Sequence, residues 1–247
     1  MDINIVESSL NLRIERGRTK DDYTLHGDIA SRQLSLYNAD IYANVEFMDC
    51  NNQEYLQKFT DAGYNNYVSL DSNGRGILCE IKDSYSVEKI GEFSDPHMLH
   101  LRIKKNSKSI ELITVRLLVA GGNVDDFKDR RRQWSKVLSY IETIEDKEHI
   151  VITGDFNHGV ISDDIRCYRS KPREHFNYQM ILSDLRRRGI ELFHMEGTSY
   201  RGYMKIDHIA TGNKVKVTTA IYEDVFGITD KIGTPDHSCI VARVRCA

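Results

Sequence analysis

In the segment EHIVITGDFNHG, residues 148–159, an apolar run ends in polar residues able to do chemistry. Ile150, Val151 and Ile152 read as a buried strand, and Gly154 marks a turn or a point of close approach. Asp155 and Asn157 follow, two residues apart. If the extended backbone continues, both side chains point to one side of the sheet while Phe156 faces the core. A carboxylate that can accept a proton and an amide that can donate then project together. Asp and Asn are also ordinary turn formers, so this pair alone does not separate a site from a polar loop.

Further polar residues stand at the ends of apolar strands. Asn11 follows INIVESSL, and Glu46 ends ADIYANV. Asp207 interrupts MKIDHIAT, where it shares a face with Lys205 and Ile209, and Asp236 and His237 immediately precede SCIVARV. Charged groups seldom survive burial unpaired, so a single carboxylate at a strand end is usually structural. Several such ends in one mixed architecture point to a shared rim, because α/β sheets collect their sites at strand ends.

The elements that must position these residues alternate between strand and helix. INIV begins a strand, DIASRQLSLYN (28–38) reads as a short helix, and ADIYANVEF (39–47) is the next strand. EYLQKFTDAG is helical and stops at Gly63. YVSL, GILCEI, MLHLRI and ELITVRLLV follow as strands, the last two separated by the turn KKNSK. VDDFKDRRRQWSKVLSYIETIED is the clearest helix, with Phe127, Trp134, Val137, Leu138 and Ile141 on one stripe. FNYQMILSDLRRRG is a second amphipathic helix ending at Gly189, and MKIDHIAT and CIVARV close the chain as strands. This order predicts an α/β fold of two mixed sheets packed face to face with helices outside.

The 247 residues, without a repeat or a Pro/Gly/Ser-rich linker, are expected to form a single domain over 1–247. The net charge of −3 provides no global basic field, so any attraction to phosphate must be local. Five scattered cysteines without CxxC spacing suggest reduced thiols and a cytoplasmic setting rather than disulfides or a zinc site. The N-terminal MDINIVESSLNLR lacks a signal-peptide pattern, and no apolar stretch is long enough to span a bilayer, so no membrane partner is expected. No feature of the sequence speaks to oligomeric state.

Taken in order, SLNLR, ADIYANVE, VITGDFN, KIDHIAT and PDHSCIVARV resemble the motifs of the endonuclease/exonuclease/phosphatase superfamily. GDFN and the terminal DH are the specific parts. The resemblance implies a four-layered α/β sandwich and a phosphoesterase site. It implies that Asn11 and Glu46 bind metal, with Asp236 near it. Asp155 would orient or deprotonate the attacking water, Asn157 would lie beside the scissile phosphate, and Asp207 would pair with His237, which faces that phosphate. The residue types suit the chemistry. Oxygen ligands fit Mg²⁺ or Mn²⁺, and a divalent cation offsets the charge of a phosphodiester under attack. A protonated His237 can donate to the same phosphate, with Asp207 raising its pKa.

The chain also departs from that pattern. Where related sequences carry a His or Tyr after the strand before the long helix, ITVRLLVAGG places Arg116, which either clamps phosphate or is merely an exposed arginine. EFM after Glu46 lacks the ETK of the exonuclease III group, IDHI lacks the Cys-Asp-Arg of the 5-phosphatases, and Pro235 replaces the usual serine. His158 and His208 read as surface or packing residues rather than participants. Arg186, Arg187 and Arg188 suit a helix C-terminus. Arg166, Arg169, Lys171 and Arg173 form a basic segment that either overhangs the site or is a solvated loop. The sequence therefore predicts a metal-dependent phosphodiesterase acting as a nuclease on nucleic acid. The rival readings are a small-molecule or lipid phosphoesterase on the same site, or an inactive member that acts by binding.

Overall fold

The computed structural model describes residues 1–12, 24–159, 171–202, 204–227 and 233–247. Strand β1 (Asp2–Ser9) leads through helix α1 (Gly27–Tyr37) to β2 (Ile41–Met48), which lies parallel to it. Helix α2 (Gln53–Asp61) precedes the hairpin of β3 (Tyr64–Leu70) and β4 (Arg75–Lys82). The second sheet begins with β5 (Ser86–Ser94), β6 (His97–Lys105) and β7 (Lys108–Arg116). Helix α3 (Val124–Thr143) then crosses to β8 (Ile150–Asp155), parallel to β7. Helix α4 (Tyr178–Arg186), β9 (Ile190–Leu192) and β10 (Asp207–Gly212) complete that sheet. The chain returns to the first sheet with β11 (Val215–Glu223) and β12 (Cys239–Cys246).

The sheets have the orders β11-β12-β1-β2-β4-β3 and β5-β6-β7-β8-β10-β9. Ile5, Val45, Leu101, Leu112 and Val151 fill the space between them. Tyr42, Tyr55 and Phe59 pack the first sheet on its helices, and Trp134, Ile152 and Ile181 pack the second. The result is the expected four-layered α/β sandwich. β8 is buried at every position because both of its faces are covered. α3 starts at Asn123, whose side chain accepts the Asp126 N–H at 2.9 Å, and its predicted stripe is buried.

The topology brings the predicted residues to one end. β1, β2, β7 and β8 deliver their C-termini there: Asn11 just past β1, Glu46 in β2, Arg116 ending β7 and Asp155 ending β8. β10 is antiparallel to β8 and β12 to β1, so they present their N-termini, with Asp207 opposite Asp155 in register and His237 just before β12.

Some expectations change. ELITVRLLV does not stay in strand to residue 119, because β7 ends at Arg116 and the Leu117 N–H donates to the Asp155 carbonyl at 3.0 Å. β5, β9 and β11 are additional strands. The arginine run follows the helix-end reading: α4 stops at Arg186, and Arg188 donates to the Asp184 carbonyl at 2.8 Å. Of the basic segment, Arg166 and Arg169 lie outside the described residues, while Lys171 and Arg173 sit in a short 3₁₀ turn, Lys171–His175. Cys50, Cys79, Cys239 and Cys246 are free thiols, and Cys167 lies outside the described residues. Among the described residues no helix is long and apolar enough to cross a membrane.

Gly154 is a point of close approach. Its φ is +133°, and a Cβ there would stand 2.0 Å from the Val115 carbonyl oxygen of the neighbouring strand. No rotamer relieves a backbone collision. Gly154→Ala is expected to destabilise the protein by about 3 kcal/mol or more, lowering Tm by roughly 10 °C. Thermal unfolding of that variant checks it, and an unchanged Tm would show that β7 and β8 are not packed this closely.

Candidate active site

The backbone of Glu46 is unusual. It lies at a β-bulge between Val45 and Phe47 with φ 59°, a left-handed conformation that a non-glycine residue adopts only at a cost of about 1–2 kcal/mol. The bulge turns its carboxyl toward the opposite sheet. There Oε2 accepts the Ser9 hydroxyl at 2.9 Å and Oε1 takes the Arg116 guanidinium in a short ion pair. Arg116 thus reaches the site, and the reading of an exposed arginine is excluded: it is 9% exposed. Its guanidinium is engaged with Glu46. Burial works against the charge of Glu46, but Arg116, His237 and Arg75 outweigh it and hold the carboxyl below its usual range.

Asp155 and Asn157 do sit together, by a different route from the one expected. The chain does not stay extended: β8 ends at Asp155, and Asn157 has φ 42°. In this turn Asp155 Oδ1 accepts the Asn157 backbone N–H at 2.9 Å, and Asn157 Nδ2 donates to Asp155 Oδ2 at 2.5 Å and to the Leu117 carbonyl at 2.8 Å. The Asn157 carbonyl is held from outside by Arg130 of α3 at 2.6 Å. Phe156 faces the core, fully buried, 5.3 Å from the Trp134 ring. Burial and then the charge of Asp207 push the Asp155 carboxyl up to about 8.

Asp207 and His237 form a pair across the two sheets. His237 Nδ1 and Asp207 Oδ2 are 2.8 Å apart, so Nδ1–H donates to the carboxylate and Nε2 is left for other partners. Burial alone would lower the pKa of His237. The charge and hydrogen bond of Asp207, with Asp155 and Asp236, reverse this and push it up to about 10. His237 Nε2 lies 3.7 Å from Asp236 Oδ1, and Asn11 Nδ2 donates to Asp236 Oδ2 at 3.2 Å.

Several contributors were not evident from sequence. Ser9 orients Glu46. The Ser199 hydroxyl accepts the Ile206 and Asp207 N–H groups at 2.9 and 3.2 Å, while its carbonyl accepts the Ser238 N–H at 2.7 Å. That segment therefore ties the start of β10 to the start of β12. The Tyr200 ring lies 4.8 Å from the His237 ring. Ser9 at the end of β1, and Ser199 and Tyr200 in a loop, carry no distinctive signal, which is why spacing does not reveal them.

Ligand atoms of Glu46, Asp236 and His237 lie within 4.8 Å of one another. With Asn11 beside Asp236, this is a predominantly hard-oxygen donor set of the kind that suits Mg²⁺ or Mn²⁺. On the opposite face of the second sheet, His158 and His208 stack with Nε2 to Nε2 at 2.7 Å. They are packing residues, as expected. His208 lies on the face of β10 away from Asp207, and His158 follows the turn after β8.

No family model matches the chain. A segment of 112 residues, 44% of the chain, is 26% identical to the "Transposon TX1 uncharacterized 149 kDa protein" of Xenopus laevis and spans 8% of that protein's length. Among solved structures, an endonuclease/exonuclease/phosphatase from Beutenbergia cavernae DSM 12333 is similar with TM-score 0.71 at 10% identity, covering 100% of this chain and 72% of that one. The endonuclease domain of TRAS1, a telomere-specific non-LTR retrotransposon, is similar with TM-score 0.63 at 12% identity, over 100% and 99% of the two chains. The chain has the fold of the endonuclease/exonuclease/phosphatase superfamily.

The buried histidine pair generates a pH prediction. Burial pushes His158 down to about 4 from its usual 6.5, and His208 is pushed down as well, by burial and then by His158. Between those values the unfolded chain binds protons that the folded chain does not, so stability falls as pH drops through the window. Tm should decline from about pH 6.5 toward about pH 4, and His158→Gln should flatten the decline. Thermal unfolding across that range checks this, and an identical slope in the variant would remove the pair as its source.

Proposed function

We propose that the protein is a divalent-metal-dependent phosphodiesterase that hydrolyses nucleic acid. The observation that carries this reading is the convergence of Glu46, Arg116, Asp155, Asn157, Asp207, Asp236 and His237 from two sheets at one end of the sandwich. The similarity to the TRAS1 endonuclease domain and to a transposon protein supports nucleic acid as the substrate class.

Glu46 and Asp236 would hold the metal with Asn11 and His237 near it, and Mg²⁺ or Mn²⁺ would offset the growing negative charge of the phosphate. The protein's own groups do the rest. Asp155, in its ionised form, accepts a proton from the attacking water, and its proton affinity, raised to about 8, strengthens it as a base. Asn157 fixes the direction of that carboxylate and is itself oriented by the Leu117 carbonyl. His237 stays protonated because Asp207 holds the Nδ1 proton, so Nε2–H can donate to a phosphate oxygen. Arg116 supplies a second positive group beside Glu46, available to a phosphate by its remaining N–H donors.

Incubation with DNA, RNA and a phosphomonoester, each with Mg²⁺, Mn²⁺ or chelator, tests the reading. Cleavage of DNA or RNA is expected, lost with chelator and restored by either ion. Full activity in excess chelator would remove the metal from the mechanism. Cleavage of the small ester alone would favour the rival phosphoesterase.

Asp155→Asn and His237→Ala should each lower turnover by roughly 10²-fold or more, the scale of a lost base or phosphate donor. Steady-state rates alongside circular dichroism check this. A folded variant with the parent's rate would take its residue out of the chemistry.

A further inference from the structure

Glu7 is a carboxyl that the mechanism above does not use. It lies on β1 two residues before Ser9, on the face that looks between the sheets, where Ile3 and Ile5 fill the interior. Its neighbours in register are the apolar Ala43 and Ile240. Ser9, one step nearer the open end, holds Glu46, so Glu7 stands one step beneath the floor of the site. It is 0% exposed, and among the described residues neither of its oxygens has a hydrogen-bond partner.

A buried carboxyl without a partner costs several kcal/mol as an ion, and an aliphatic side chain would fit such surroundings better. Asp207 shows a matching deficiency across the inter-sheet space. Asp207 uses Oδ2 for His237, but its Oδ1 is equally buried and has no partner among the described residues. The Tyr222 hydroxyl donates at 2.6 Å to the backbone carbonyl of Asp207, not to its carboxylate. Asp207 shares the inter-sheet face of β10 with Ile209, which packs in the same interior cluster as Ile3 and Ile5, and the charged groups that act on Glu7 are Asp207, His237 and Asp155. Burial and then the charge of Asp207 raise its proton affinity well above the usual carboxyl range, so it carries its proton.

We propose that protonated Glu7 donates its O–H to Oδ1 of Asp207, directly or across one enclosed water, and thereby fixes the carboxylate that orients His237. Glu7 is a positioning residue and touches no substrate. A carboxylate bound at one oxygen can turn about its last torsion, whereas one bound at both cannot. The hydrogen bond is charge-assisted and lies in a low-dielectric interior, where such bonds are strongest. The inference rests on the reading of Asp207 and His237 as a catalytic pair.

Two variants of the full chain separate this role from simple core filling. Glu7→Met keeps the volume and removes the donor. It should still fold, with a Tm at or below the parent's because Asp207 Oδ1 loses its donor, and should lose roughly tenfold or more in turnover, the scale at which outer partners of site residues act. Glu7→Gln restores a neutral N–H donor and should recover most of that loss. Proton NMR in water gives a readout independent of turnover. The low-field resonance of His237 Nδ1–H should shift or broaden in Glu7→Met and return in Glu7→Gln.

A Glu7→Met protein with the parent's turnover and an unmoved resonance would overturn the proposal, as would a Glu7→Gln protein as impaired as Glu7→Met. If neither variant folds, the carboxyl ¹³C shift of Glu7 in the parent decides: a protonated value throughout about pH 5 to about pH 8 supports donation, and an ionised value sinks it. If the parent cleaves no phosphodiester, the proposed function fails, while the two NMR signals still report on Glu7.

Discussion

The end of the sandwich has to keep Glu46, Asp155, Asp207 and Asp236 buried together, each 5% exposed or less. Carboxylates at such density repel one another and lose hydration, and buried ions persist only when they are paired. Two cations meet that need, and each comes from the sheet opposite its partner. Arg116 of the second sheet reaches Glu46 of the first, while His237 of the first reaches Asp207 of the second. These reciprocal pairs fix how the two sheets meet at the open end. Severing a buried pair from one side leaves an uncompensated charge and costs about 3–5 kcal/mol, so the sheets cannot slide here without a large penalty. The apolar interior behind them holds the layers together but is far less particular about register.

Backbone geometry serves the same constraint. A parallel strand pair in each sheet aims its C-termini at one end, and antiparallel strands add their N-termini. Around that end lie backbone conformations that side chains rarely accept: Glu46 at a bulge, Asn157 after the strand, and Gly154 pressed against the carbonyl of Val115. Strain of this kind survives where surrounding contacts over-determine it. The Glu46 bulge is held by Ser9 and Arg116, and the Asn157 turn by Leu117 and Arg130. Neither support is close in sequence to what it supports.

That separation explains what could be read in advance. The sandwich and the convergence of Asp155, Asp207 and His237 were legible because buried strands announce themselves by composition and the motifs fall at their ends. β5 was not, since its largely exposed sequence SVEKIGEFS lacks an apolar face, and β9 is only three residues long. The type of Arg116 was legible, but its destination was not, because Glu46 is 70 residues away in the other sheet. Asn157 was placed beside Asp155 on the assumption of an extended chain, whereas a positive φ achieves the same neighbourhood. Glu7 was not singled out, because one charged residue inside INIVESSL carries no sign of which side chain of the other sheet it faces across the interior.

Arg116 also separates the roles of the carboxylates. Glu46 and Asp155 are both buried and both near His237, yet their proton affinities diverge: Glu46 is held below its usual range and Asp155 is raised to about 8. The difference lies in which group each carboxylate faces first. Glu46 takes the guanidinium directly, whereas Asp155 faces the carboxylate of Asp207 and feels Arg116 and His237 only as partial compensation. Environments that push two carboxyl groups apart assign them different work, because an always-ionised group suits cation binding and a proton-seeking one suits base catalysis. An arginine is permanently charged, so its hold on Glu46 persists across the physiological pH range, which a histidine or tyrosine at the same position would not guarantee.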